Sequence, residues 1–206
     1  MFALVAGLTA GLLHVFSGPD HLAAVAPLTS DDDRGQWRVG LQWGVGHTAG
    51  VLLIALLLLL FREQLPLDAI SAYSERIVGG MLIALGAWGI RGAWLQRKGH
   101  AHSHDDRHTG RHYTGASFVM GAVHGLAGSS HLFGVLPALA MPGREAPILY
   151  LAGFGVGAIV GMTAFATVMG LLAHRLGRRG PGGLRGLVYA SSAAALVVGG
   201  VWLVGQ

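Results

Sequence analysis

Apolar runs without a charged residue alternate with short polar stretches along the whole chain, and two of them, 39–61 and 116–141, are long. About 20 such residues cross a hydrocarbon core roughly 30 Å thick. The pattern predicts six membrane spans: 2–28 with an internal break, 39–61, 77–94, 116–140, 148–173 and 187–204. The predicted connections are 31–38, 62–76 with Pro66, a histidine-rich stretch over 96–114, a short turn over 141–147, and a basic, glycine-rich loop over 174–186. No series of alternating strands occurs, which excludes an outer-membrane barrel. The opening Met1-Phe-Ala-Leu-Val5 lacks a basic leader region, so the first run is expected to be a membrane element.

The chain also repeats itself. Residues 11–28, GLLHVFSGPDHLAAVAPL, and 121–138, GAVHGLAGSSHLFGVLPA, agree at seven of eighteen positions. The matches at an offset of 110 include His14/His124, Gly18/Gly128, His21/His131 and Pro27/Pro137. Gly44-Val-Gly46 echoes Gly155-Val-Gly157. Three spans per half is an odd number, so the second half enters the membrane from the opposite side. The expected fold is therefore all-α and polytopic, with six transmembrane helices in two inverted three-helix repeats, 1–95 and 115–206. A linker, 96–114, joins them. Inverted repeats with broken helices are an architecture of secondary transporters.

Composition narrows the class. Charged residues make up 12% and hydrophobic ones 52%, against about 25% charged in soluble domains. Glycine is abundant, 34 of 206, which suits close helix packing in lipid. With no cysteine, disulfides and thiolate metal sites are excluded. The net charge of +4 does not indicate nucleic acid, because the basic residues lie in loops between spans or, for Arg91, in the last turn of one. Eleven of them (Arg34, Arg38, Arg91, Arg97, Lys98, Arg107, Arg111, Arg175, Arg178, Arg179, Arg185) fall on one side, and Arg62, Arg76 and Arg144 on the other. The positive-inside rule puts the first group in the cytosol. The expected location is the inner (plasma) membrane, with both termini outside and the histidine-rich linker in the cytosol. Tyr73, Tyr150 and Trp202 are expected in the outer aromatic belt, and Trp37, Trp94, Tyr113 and Tyr189 in the inner one.

Five histidines and one aspartate fall inside predicted spans: His14, Asp20, His21, His47, His124 and His131. Ionisable groups at membrane depth are expensive and usually face a pathway or a site. Interhelical hydrogen bonding is the competing account, and four histidines in matched repeat positions argue against it. On an unbroken helix His14 and His21 lie about 10 Å apart along the axis, too far to share one ion at bonds of about 2 Å. Gly18-Pro19 removes that obstacle, because Pro19 lacks the N–H that the Val15 carbonyl needs. Gly125 and Gly128-Ser129-Ser130 allow a similar break in the second half, although Pro27 and Pro137 also serve as helix ends. Neutral imidazoles with one carboxylate and no thiolate suit a borderline divalent ion: nickel, cobalt or zinc. Asp20 corresponds to Ser130 and His47 to Ala158, so the site is centred on the first half, with His124 and His131 completing it or forming a second stage.

The linker carries His100, His102, His104, His108 and His112 with Asp105 and Asp106. Its composition reads as metal binding, in a buffering or delivery role; a solvated or pH-responsive linker is the alternative. The remaining features are weaker. Gly46-xxx-Gly50 and Gly157-xxx-Gly161 read as packing faces. Thr48, Thr163 and Thr167 are expected to bond backbone or line a path, and His174 to sit at the interface. No His-Glu-x-x-His motif or phosphate loop is present, so the chain is not expected to be an enzyme.

The segment His14-Val-Phe-Ser-Gly-Pro-Asp20-His21 resembles the early histidine motif of the nickel/cobalt transporter superfamily, with five intervening residues where the family has four. Gly46-His47-Thr48 is similar to that family's next motif. The six-span plan with a second motif at His124 and His131 is similar to its urease- and hydrogenase-accessory membrane members. The resemblance implies transport of Ni2+ or Co2+ (Zn2+ as a further option), with His14, Asp20, His21 and His47 as ligands and no permanently bound cofactor. Uptake is the expected direction. The expected partners are the metal ion, the lipid bilayer and a cytosolic metallochaperone or metalloenzyme maturation factor. Efflux on the same fold, or a scaffold that binds metal without moving it, are the alternatives.

Overall fold

The computed structural model describes residues 1–18, 21, 35–61, 67–97, 110–126, 129–178 and 180–204. Among these it contains seven helices: α1 (Phe2–Ser17), α2 (Gln36–Phe61), α3 (Leu67–Arg97), α4 (Gly110–Leu126), α5 (Ser129–Ala140), α6 (Glu145–Arg178) and α7 (Pro181–Val204). Stretches of α2, α3, α6 and α7 are long and apolar enough to cross a membrane: Gln36–Leu57, Arg76–Leu95, Glu145–Arg178 and Gly182–Val204. The chain is an all-helical, multi-pass membrane protein.

The first predicted span is not a single long helix. α1 stops at Ser17, and Gly18 is extended, with φ −86 and ψ 100. A residue before proline is pushed toward that region. The chain turns here, and the His21 N–H donates to the Gly18 carbonyl at 3.2 Å. In the second half α4 is described to Leu126 and α5 from Ser129, and the break expected at 128–130 falls in part on 127–128, outside the described residues.

Small residues decide which face of each helix is inside. On α6 the buried positions include Gly153, Gly155, Gly157, Ala158, Gly161 and Ala166, while Val156, Val160, Val168 and Leu171 are exposed. Such backbone-close packing is the usual solution where lipid removes the hydrophobic drive between helices. A Cβ on Gly11 would overlap the Phe154 carbonyl of α6, and one on Gly121 would overlap the Trp43 carbonyl of α2. Gly157 meets the Leu8 carbonyl and Gly46 the Phe118 carbonyl in the same manner. Contacts of the first half are thus exchanged for those of the second at offsets of 110 and 111.

Helix directions follow from these registers. α2 and α6 run antiparallel: Gly40 lies against Met162 and Thr163, Gly44 against Ile159, and the Thr48 hydroxyl donates to the Gly155 carbonyl at 3.3 Å. α1 packs parallel to α6, and α4 parallel to α2. α3 and α7 pair antiparallel, Gly79 with Gly199 and Gly86 with Ser192. The buried interior divides into two apolar clusters. One holds Val15, Trp43, Val78, Leu82, Ala158 and Met162; the other holds Val51, Ala55, Val135, Tyr150, Leu151 and Phe154.

Several boundaries differ from expectation. Residues 67–76, predicted as connection, already belong to α3, and most of 174–186 is helical, with Gly180 at φ 129 between α6 and α7. Helices continue past the apolar window because their backbone bonds are satisfied internally in water as well as in lipid. Pro181 opens α7, where its missing N–H has no partner to lose. Pro137 lies inside α5 and does not end it. Tyr150 is buried at 4% exposure and is not an outer-belt residue, whereas Trp37, Trp94 and Tyr73 are exposed. Pro27 and 31–34 lie outside the described residues, as do 98–109.

Candidate metal centre

Three elements deliver imidazoles to one point. His14 lies in the last turn of α1, and His21 follows after the Gly18 turn. His47 comes from the middle of α2, one residue after the glycine that admits α4. One nitrogen from each of His14, His21 and His47 lies within 4.8 Å of the other two. Ring centroids are 4.6 Å apart for His14 and His21, 5.0 Å for His21 and His47, and 5.5 Å for His14 and His47. The helix break brings His14 and His21 together, as the sequence predicts.

His124, from α4 of the second half, joins this group. Its ring stands 4.6 Å from His21 and 5.9 Å from His47. His21, His47 and His124 are each at 0% exposure, and His14 is partly buried. Four imidazoles therefore sit inside the bundle, drawn from both halves. Asp20 lies outside the described residues. His131 belongs to α5 by its backbone, and its side chain lies outside the described residues, as does that of His112 on α4. His100, His102, His104 and His108 also lie outside them.

The donor set fits a borderline divalent cation. Neutral imidazole ligates nickel, cobalt and zinc, and the described cluster has no thiolate or carboxylate to direct it elsewhere. Nitrogens at bonds of about 2 Å stand roughly 3.3 Å apart around a tetrahedral ion. The triad's nitrogens lie within 4.8 Å of one another, so the side chains would have to close in on an ion to reach that spacing.

Two aromatic residues that belong to no sequence motif flank the imidazoles. The Phe154 ring is 5.4 Å from His14 at an interplanar angle of 45°, and the Trp43 ring is 5.9 Å from His124 at 52°. His14 corresponds to His124, and Trp43 to Phe154, so the two pairs are repeat-related. The Gly44/Gly155 echo placed them in register already. The counterpart of His47 is Ala158, buried without a ligand atom. The threonines bond backbone: Thr48 reaches α6, while Thr163 and Thr167 turn back on their own helix at 2.7 Å. His174 is exposed near the end of α6.

No family model and no solved structure matches the chain. Three curated proteins are similar to it. Chloroplast protein FOR GROWTH AND FERTILITY 2 of Arabidopsis thaliana is 36% identical over 210 residues, covering 97% of this chain and 55% of its own length. Chloroplast protein FOR GROWTH AND FERTILITY 1 of the same plant is 34% identical over 206 residues, covering 94% and 56%. The chain thus spans little more than half the length of these two relatives. Urease accessory protein UreH of Bacillus sp. (strain TB-90) is 29% identical over 180 residues, covering 82% of this chain and 76% of its own length.

Proposed function

We propose that the chain carries a divalent transition metal, nickel or cobalt, across a membrane through the imidazole cluster, in the uptake direction. The observation that carries this reading is the convergence of His14, His21, His47 and His124 in the buried centre of a multi-pass bundle. Imidazoles are costly at that depth unless they serve a site or a path. An entering ion exchanges water for nitrogen ligands, and Asp20, next to His21 in sequence, is proposed to supply compensating negative charge. Two inverted three-helix halves, 1–95 and 115–206, rock around the site; the antiparallel registers of α2 with α6 and α3 with α7 support that arrangement. The cell's inner (plasma) membrane with both termini outside is the proposed setting, and the 96–114 histidines are proposed to buffer metal on the cytosolic side. Neither a resident cofactor nor an enzymatic activity is part of this reading.

A second reading has an observation of its own. Similarity to a urease accessory protein favours a membrane scaffold that binds metal for a maturation partner without moving it. Radiolabelled nickel and cobalt content of cells expressing the wild type, compared with His21→Ala/His47→Ala and Asp20→Ala variants, separates the two. Higher content with the wild type alone is expected. Lower content makes the protein an exporter on the same site. Equal content, together with metal binding by the purified protein, favours the scaffold.

A further inference from the structure

Each of the two apolar clusters places one aromatic ring against the imidazole cluster, Trp43 against His124 and Phe154 against His14. In the α2/α6 register, Gly44 faces Ile159 and Thr48 bonds Gly155. Phe154 is therefore level with Ala49, six residues beyond Trp43 along α2. At 1.5 Å per residue that is about 9 Å, and His47 falls between the two levels. Trp43 belongs to the cluster with Met162, Val78 and Leu82, and Phe154 to the one with Val51, Ala55 and Tyr150. Both rings are fully buried, at 0% and 1% exposure. Gly134 of α5 seats the Phe154 ring, since a Cβ there would strike it. The Trp43 indole N–H has no hydrogen-bond acceptor among the described residues.

From this arrangement we infer that Trp43 and Phe154 are the two barrier residues of the transport path, one closing each side of the imidazole cluster, so that the structure is an occluded state. The inference rests on the transport reading above and adds which residues separate the site from each membrane face. Antiparallel helices put repeat-related rings on opposite sides of the site, as alternating access between two halves requires. With the basic loops in the cytosol, Trp43 is the cytosolic barrier and Phe154 the outer one.

The chain has no cysteine, so a single thiol reports access without a background. His47→Cys places it in the cluster, and a membrane-impermeant methanethiosulfonate is applied to intact cells or to inside-out vesicles. Slow labelling from both faces is expected for this variant alone. Adding Trp43→Leu is expected to raise labelling from the cytosolic face at least about tenfold, and adding Phe154→Leu to do the same from the outer face. Opposite faces in the reversed order keep the barriers and overturn the orientation. Both variants opening one face, or neither opening any, overturns the inference. Monodisperse elution in detergent checks the fold. If a leucine variant fails that check, Trp43→Phe and Phe154→Met take its place, with the same sidedness and a smaller rise expected. Labelling needs no metal, so a missing barrier is distinguished from a missing metal activity, which wild-type nickel and cobalt binding reads separately.

Discussion

His47 and Ala158 stand at corresponding places on α2 and α6, and the bundle packs around both in the same manner. Gly46, before the first, admits α4, and Gly157, before the second, admits α1. The close glycine contacts are matched on the two sides, yet of these two positions only His47 carries an imidazole, one of the triad. Trp43 and Phe154 show the same contrast more gently, both being aromatic and only one carrying an N–H. The difference teaches that the repeat supplies geometry and the departures from it supply chemistry. A symmetric pair of triads would hold two ions close together against mutual repulsion. On the proposed reading, carrying the third imidazole on one side alone leaves a single site at the joint between the halves.

The sharpest way to break this comparison is to delete the imidazole on one side and change its counterpart on the other. His47→Ala is expected to weaken nickel binding by about 100-fold or more, since loss of a mere outer-shell partner already gives 10–100-fold. Ala158→Ser, at the matching position, is expected to leave binding unchanged. Calorimetric titration of the purified protein with nickel checks both. Equal losses would mean that the site is symmetric after all.

The scaffold half of the comparison is tested at one repeat-related pair of close backbone approaches. Gly11→Val and Gly121→Val each force a side chain into a carbonyl of the facing helix. Overpacking of this kind costs about 1–3 kcal/mol, and the two variants are expected to lose similar amounts. Thermal unfolding in detergent, followed by loss of monodispersity, reads the effect. A large loss in one and none in the other would show that the exchange of contacts between halves is superficial.

The parts of this arrangement that chemistry writes locally were legible in the chain. Pro19 lacks an N–H, so the end of α1 and the approach of His21 to His14 followed from one residue type at one place. The offset of 110 likewise announced that His14 and His124 are equivalent. What was not legible depends on rotation and register. Tyr150 sits at a depth suited to an aromatic belt, but depth says nothing about which way α6 turns, and the ring faces inward against Val51 and Ala55. His124 reaches His21 only because Gly121 and Gly125 let α4 close on α2, a distance set by tertiary packing. Hydropathy marks the thickness of lipid rather than the ends of hydrogen bonding, which is why 67–76 read as a connection and forms helix.

The smallest expected effect concerns how the two halves are joined. Thr48 donates from α2 to the Gly155 carbonyl of α6 at 3.3 Å, and its methyl group lies toward Gly155. Thr163 and Thr167 instead donate to carbonyls four residues back on α6, each already an acceptor within the helix. Such back-bonding adds little to a helix and slightly weakens it. Thr48→Val keeps the methyl and removes the hydroxyl, so only the interhelical bond is lost. Bonds of this type in membrane bundles average about 0.6 kcal/mol, and the 3.3 Å length places this one at the weak end. Thr48→Val is therefore expected to lower stability by about 0.5 kcal/mol, and Thr163→Val and Thr167→Val to leave it unchanged or slightly raised. Denaturant titration of all three in one detergent checks the order. If Thr163→Val proved the most damaging, the hydroxyls of α6 would be serving something other than their own helix, and the path past Ile159 would be the place to look.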